Sequence, residues 1–202
     1  MHDPEKAWQQ LRRGNERFVA AGHFSPDGSA DGRQVAAVFR CADADVASEV
    51  VFGQSWGSLL DVSTWGHVVD TGVLATLEYA IGALDVPLVV ILGHHGCAAM
   101  RATLRAWNDA VLPDGAARSV VEQAMFSIVR RGSAGDSVEA VSSAHVVETG
   151  LAMLGRSPVI ARRVDAGTCG IVCAITDSAG RVRPYATIGA VGDVEGALLE
   201  RV

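Results

Sequence analysis

The chain has 202 residues, 49% of them hydrophobic, with a formal net charge of −6. That length and apolar content suit one domain over residues 1–202 rather than two independent ones. The acidic balance argues against nucleic acid or an anionic membrane surface as the main partner. The N-terminus is polar, without the apolar core that secretion uses, and no apolar run approaches the about 20 residues of a membrane span. The expectation is a cytoplasmic protein whose four cysteines are thiols or metal ligands rather than disulfides.

Asp3 suits an N-cap and Pro4 the first helical position. Trp8, Leu11, Phe18 and Val19 then recur at helical spacing and predict an amphipathic helix in an arm over residues 1–22. Two packings stay open for it, on a partner subunit or over its own domain. Residues 23–33, rich in Gly, Ser and Asp, read as a loop. Residues 35–39 read as a short buried strand ending at Cys41, 46–52 as a short helix, and 59–62 as a second strand. Leu74, Leu77, Ile81 and Leu84 share a face of a helix over 73–84, which Asp85 ends. Residues 87–92 (Pro-Leu-Val-Val-Ile-Leu) are the strongest strand, apolar throughout as a parallel strand covered on both faces should be.

Helices over 97–110 and 119–131 follow, the second with Arg130 and Arg131 in its last turn and Gly132 as its stop. Residues 138–154 and 158–164 come next. Residues 168–175 and 182–188 are two late strands joined by the turn Asp177-Ser178-Ala179-Gly180. The order predicts an α/β fold: a single domain with a mainly parallel central sheet flanked by helices, plus the N-terminal helical arm.

In open α/β sheets, ligands gather at the carboxyl ends of strands. Cys41 follows the first strand and His94 the third. Cys97 lies three residues beyond His94, about one turn into the next helix, so both can face one ion. Two thiols and an imidazole are what a tetrahedral zinc site with one open position asks for. On spacing alone, two unrelated buried thiols and a surface histidine remain the other reading.

Cys41-Ala42-Asp43 and, with His94 lying 53 residues after Cys41, Gly93-His94-His95-Gly96-Cys97 resemble the C-x-D and G-H-x-x-C segments of the β-class carbonic anhydrases. Leu77-Glu78-Tyr79-Ala80 and Val86-Pro87-Leu88 add to the likeness, which runs from about Trp8 to Gly189. The resemblance implies that Cys41, His94 and Cys97 bind Zn²⁺. It implies that Asp43 either orients a zinc-bound water or takes the fourth coordination position. The implied reaction is hydration of CO₂ to bicarbonate by a zinc-bound hydroxide, since zinc lowers the pKa of its water to about 7. Two thiolates donate more charge than imidazoles, so polar groups around the ligands gain importance. A homodimer or higher oligomer is implied as well, with Tyr79 reaching a neighbouring subunit's pocket.

The chain departs from the family's pattern around the substrate. The arginine that closes C-x-D-S-R is Asp45, which leaves Asp43 without its usual partner; Arg40 and Arg101 are candidates to replace it. A small residue bordering the CO₂ site is Trp65, and an aromatic a few residues earlier is Leu60. A glutamine expected before the first strand falls at Gly32, with Gln34 nearby, and a glycine after the second zinc cysteine is Ala98. Two other readings follow: a zinc hydrolase of another small linear substrate, such as carbonyl sulfide or carbon disulfide, or a non-catalytic zinc-binding homologue.

Among the remaining polar residues, His95 points away from the ligands by spacing and His67 sits near the pocket, where a structural role competes with proton transfer. His145 reads as a packed or surface histidine within its helix. Cys169 and Cys173 face one side of a strand and read as small buried thiols. The Arg162-Arg163 pair reads as a solvated helix face.

Overall fold

The computed structural model describes residues 3–24, 33–192 and 198–199. Most of the loop expected at 23–33, including Gly32, lies outside them. Helix α1 spans Pro4–Ala21, with Asp3 accepting from the Lys6 N–H as N-cap and Gly22 closing it in the left-handed region. Strand β1 (Ala36–Cys41), the short α2 (Ser48–Val51) and strand β2 (Leu59–Thr64) follow. Then come α3 (Thr71–Gly82), β3 (Leu88–His94), α4 (Ala98–Asp109) and α5 (Ala116–Arg131). Helices α6 (Val138–Arg156) and α7 (Pro158–Asp165) lead to β4 (Gly170–Thr176), β5 (Val182–Gly189) and a two-residue β6 (Leu198–Leu199).

The strands form one sheet in the order β2-β1-β3-β4-β5-β6. Strands β1 to β4 are mutually parallel, β5 returns antiparallel to β4 through the expected turn, and β6 runs parallel to β5. The α/β fold with a mainly parallel sheet is therefore as the element order predicts. Neither β6 nor the 3-10 turn at Trp65–His67 is foreshadowed by apolar periodicity, since both are too short to show a period.

Alternation along the strands divides the core. Ala37, Phe39, Val89, Ile91, Ile171 and Cys173 face α3, α6 and α7, where Leu77, Ile81, Val147, Met153 and Ile160 meet them. Val38, Val90, Val172 and Ala174 face the other way, onto Trp8 and Leu11 of α1 and Phe52. Fully burying one such side chain stabilises by about 1.5–3 kcal/mol, so α1 is anchored by its apolar stripe. Gly14 lets it come close: a Cβ there would lie 1.7 Å from the Phe52 carbonyl oxygen. Asn15 then ties α1 to the late hairpin, donating to the Val51 and Gly180 carbonyls and accepting from the Val182 N–H. The apolar stripe of this segment thus lies over its own domain.

Three expectations need correction. The buried face of α3 is Val73, Leu77, Ala80 and Ile81. Leu84 is 37% exposed, because the helix ends at Gly82 and Asp85 turns the chain with φ 53°. Arg163 is not merely solvated: it donates to the Ile81 carbonyl and pairs with Asp85, clamping α7 to the end of α3. Strand β3 runs through to His94 rather than stopping at Leu92, so that histidine is the last residue of a fully buried strand.

Candidate metal centre

The carboxyl ends of β1 and β3 lie side by side, with Arg40 level with Leu92 in the ladder. This parallel register delivers Cys41 and His94 to the same rim. The chain then turns at Gly96, whose φ of 67° suits glycine, and Cys97 caps α4. Donor atoms of Cys41, Asp43, His94 and Cys97 all lie within 4.8 Å of one another. The two sulfurs are 3.7 Å apart, close to the about 3.8 Å edge of a tetrahedron with Zn–S near 2.3 Å. Asp43 Oδ1 lies 2.6 Å from Cys41 Sγ and 2.8 Å from His94 Nε2. Two soft thiols, an imidazole and a carboxylate fit Zn²⁺ by donor type and count.

His94 is oriented for the same task. Its Nδ1 faces the His95 carbonyl at 3.1 Å and its Nε2 faces Asp43 Oδ1 at 2.8 Å; both oxygens only accept, so both ring nitrogens carry protons here, and an ion bound in the cluster takes the place of the proton on Nε2. Burial pushes the Asp43 carboxyl up, but hydrogen bonds from Cys41, the Ala98 N–H and His94 outweigh it and hold the group at about 2. The two thiols respond in opposite senses. The contact with Cys97, followed by burial, pushes Cys41 up, and the same contact lowers Cys97. Loading the site with a divalent ion displaces the protons that the thiols hold.

Neither candidate arginine partners Asp43. Arg40 bonds Asp61 at 2.9 Å, and Arg101 lies exposed on α4. Asp45 is exposed too. The second oxygen of Asp43 instead accepts from the Ala98 N–H at 2.8 Å. That N–H is one of the orphan donors in the first turn of α4, where the helix dipole favours negative charge. The sequence hides this anchor because any residue at a helix start supplies the same group.

Trp65 packs on the cluster that holds Cys41, Cys97, Ala99 and Met100. Leu60 does not reach it: the register sets Leu60 level with Ala37 and Thr64 level with Cys41, so Leu60 sits four residues, roughly 13 Å, down the sheet. Tyr79, in the second half of α3, is 56% exposed where the chain heads back toward the start of β3. His95 is exposed with Glu139 at 3.5 Å.

His67 is buried, and its Nε2 donates to the Leu92 carbonyl at 3.0 Å. Burial and the neighbouring His145 hold it at about 3, which suits a structural histidine and not a proton carrier near neutral pH. His145 is packed as expected, and its partners, the Ser127 hydroxyl and the Gly66 carbonyl, come from α5 and the 3-10 turn. Sequence reasoning missed Ser127 altogether, since a serine mid-helix carries no signal of its partner 18 residues on.

Comparison with known proteins agrees with this geometry. The profile of the family described as "Carbonic anhydrase" matches residues 36–181. "Carbonic anhydrase 2" of Mycobacterium tuberculosis is 41% identical over 179 residues, covering 84% of this chain and 86% of that protein. "Carbonic anhydrase" of Mycolicibacterium smegmatis is 39% identical over 202 residues, covering 95% and 98%. The fold is similar to that of a solved structure of one of two tetrameric β-carbonic anhydrases from Sordaria macrospora, with a TM-score of 0.64, 18% identity, and coverage of 89% of this chain and 91% of that one. The chain belongs to the β-carbonic anhydrase family.

Proposed function

We propose that this protein catalyses the reversible hydration of CO₂ to bicarbonate with a Zn²⁺ ion held by Cys41, His94 and Cys97. One observation carries the reading: three zinc-type donors and a carboxylate converge within 4.8 Å at the carboxyl rim of adjacent strands. Zinc, when bound there, supplies a water acidic enough to yield hydroxide near neutral pH. The chain's own residues do the rest. Cys41, Cys97 and His94 Nε2 supply the donor set. Asp43, ionised and fixed by the Ala98 N–H, accepts a hydrogen bond at the fourth position or occupies it. Trp65 narrows the space beside the sulfurs.

The assembly is a homodimer or a larger homo-oligomer. The exposed ring of Tyr79 belongs in the partner copy's pocket, since it lies away from the site of its own chain; the solved relative described as tetrameric supports this. No helix among the described residues is long and apolar enough to cross a membrane, and the cytoplasm is the proposed compartment.

Stopped-flow CO₂ hydration on protein of known zinc content, across about pH 6.5–9 around the neutral pKa of zinc-bound water, tests the proposal. Turnover that scales with zinc and vanishes on chelation supports it. Zinc-loaded protein silent toward CO₂ overturns it. The bulk of Trp65 beside the cluster favours one second reading, hydrolysis of another linear triatomic such as carbonyl sulfide, which sulfide release in the same apparatus reports.

A further inference from the structure

The chain around Gly66 is held in an unusual shape. Gly66 has φ 70° and His67 φ 54°, two consecutive left-handed residues, the second one not glycine. A Cβ at Gly66 would lie 2.5 Å from Val120 Cγ1 and 3.0 Å from Ala99 Cβ, so only glycine fits between α4 and α5. At His67, which is not glycine, such backbone persists only where the surroundings over-determine it.

A set of hydrogen bonds does so. His67 Nε2 donates to the Leu92 carbonyl. His145 Nε2 lies 2.9 Å from the Gly66 carbonyl, and because a carbonyl only accepts, this nitrogen carries the proton. The other ring nitrogen of His145 is then an acceptor, and the Ser127 hydroxyl donates to it at 3.0 Å. On the far side of the same glycine, the Gly66 N–H donates to Cys41 Sγ at 3.1 Å. Ser127, His145, Gly66 and Cys41 thus form one chain of bonds from α5 and α6 to a donor of the metal centre.

We propose that His145, oriented by Ser127, is a positioning residue of the metal centre: it holds Gly66 so that its N–H donates to the Cys41 sulfur. The inference rests on the zinc reading above, through the role of Cys41. An N–H aimed at a thiolate drains charge from sulfur, which makes the sulfur a weaker donor and leaves a bound ion more electrophilic. It also fixes the direction of the sulfur lone pairs and thereby raises metal affinity. A site with two thiolates has most need of such a bond. His145 is suited to the task because burial holds it below its ordinary pKa and keeps one ring nitrogen an acceptor for Ser127.

Cobalt(II) in place of zinc gives the readout, through its thiolate-to-metal charge-transfer absorption, alongside zinc affinity by chelator competition. The variants are His145→Phe, which keeps the ring shape without a donor, and His145→Gln, whose amide N–H reaches the place of Nε2. His145→Phe is expected to move the absorption to longer wavelength and to weaken zinc binding by about 10–100-fold, and His145→Gln to restore most of both. If His145→Phe does not fold, Ser127→Ala decides, with a smaller shift in the same direction expected. A folded His145→Phe, or failing that Ser127→Ala, with the parent's band and affinity overturns the inference alone. A parent that binds no cobalt with a thiolate band overturns the zinc reading and the inference with it.

Discussion

The molecule carries two pairs of buried cysteines, and they have become different things. Cys41 and Cys97 close to 3.7 Å at the carboxyl rim, with a carboxylate, an imidazole and the Gly66 N–H around them. Cys169 and Cys173 lie on one face of the sheet among Ile171, Ile188 and Val164. There burial alone pushes the Cys169 thiol up to about 12, while in the first pair the thiols shift each other. All four are outside disulfides and buried, so burial does not distinguish a ligand from a core thiol. What distinguishes them is the second donor type within reach, and that is a property of strand ends.

The comparison breaks most visibly at Cys97→Ser. That variant is expected to lose stoichiometric zinc by elemental analysis and more than about a hundredfold in CO₂ hydration, since even residues one shell beyond a metal cost about 10–100-fold. Asp43→Asn keeps the shape and removes the charge. Zinc content is expected to stay at one per chain while kcat/KM falls by about 10–100-fold; an unchanged kcat/KM removes Asp43 from the reaction.

Gly66→Ala reaches the first pair through the backbone. The clash with Val120 and Ala99 and the positive φ predict a loss of about 1–3 kcal/mol in denaturant unfolding, with weaker zinc binding alongside. Acid acts on the same region. His67, held at about 3, and His145, also held down, stay neutral when folded. The unfolded chain takes up their protons below about pH 6.5, so folding stability falls as pH drops through that value, by up to about 1.4 kcal/mol per pH unit for each histidine. Asp43, near His67, and Glu148, near His145, oppose part of this, while His94 adds to it at His67. Denaturant midpoints at pH 7.5 and pH 5, both chosen to bracket about 6.5, read the difference; a flat profile contradicts neutral burial. The smallest effect is expected at Cys173→Ala, with zinc unchanged and a loss of about 1–2 kcal/mol from packing.

Much of this was legible in the chain itself. Helix starts at Asp3-Pro4, the apolar run before His94 and the turn at Asp177–Gly180 are local signals, each set by propensity and patterning within a few residues. The zinc-type residues stood out for the same reason, because Cys41 and His94 each end a strand-like run. The α/β order of elements followed from them. Local information placed Leu84 wrongly on a buried face, since the helix end at Gly82 decides which side of the chain follows.

Tertiary structure alone decided the rest. That β1 lies beside β3 brings Cys41 and His94 together across more than fifty residues. That α4 begins at the cluster makes the Ala98 N–H the anchor of Asp43 in place of an arginine. The bonds from Ser127 through His145 to Gly66 join α5, α6 and the 3-10 turn. Backbone donors and long-range hydrogen bonds leave no mark on residue type: every non-proline residue has an N–H, and only packing determines which one faces a carboxylate or a thiol.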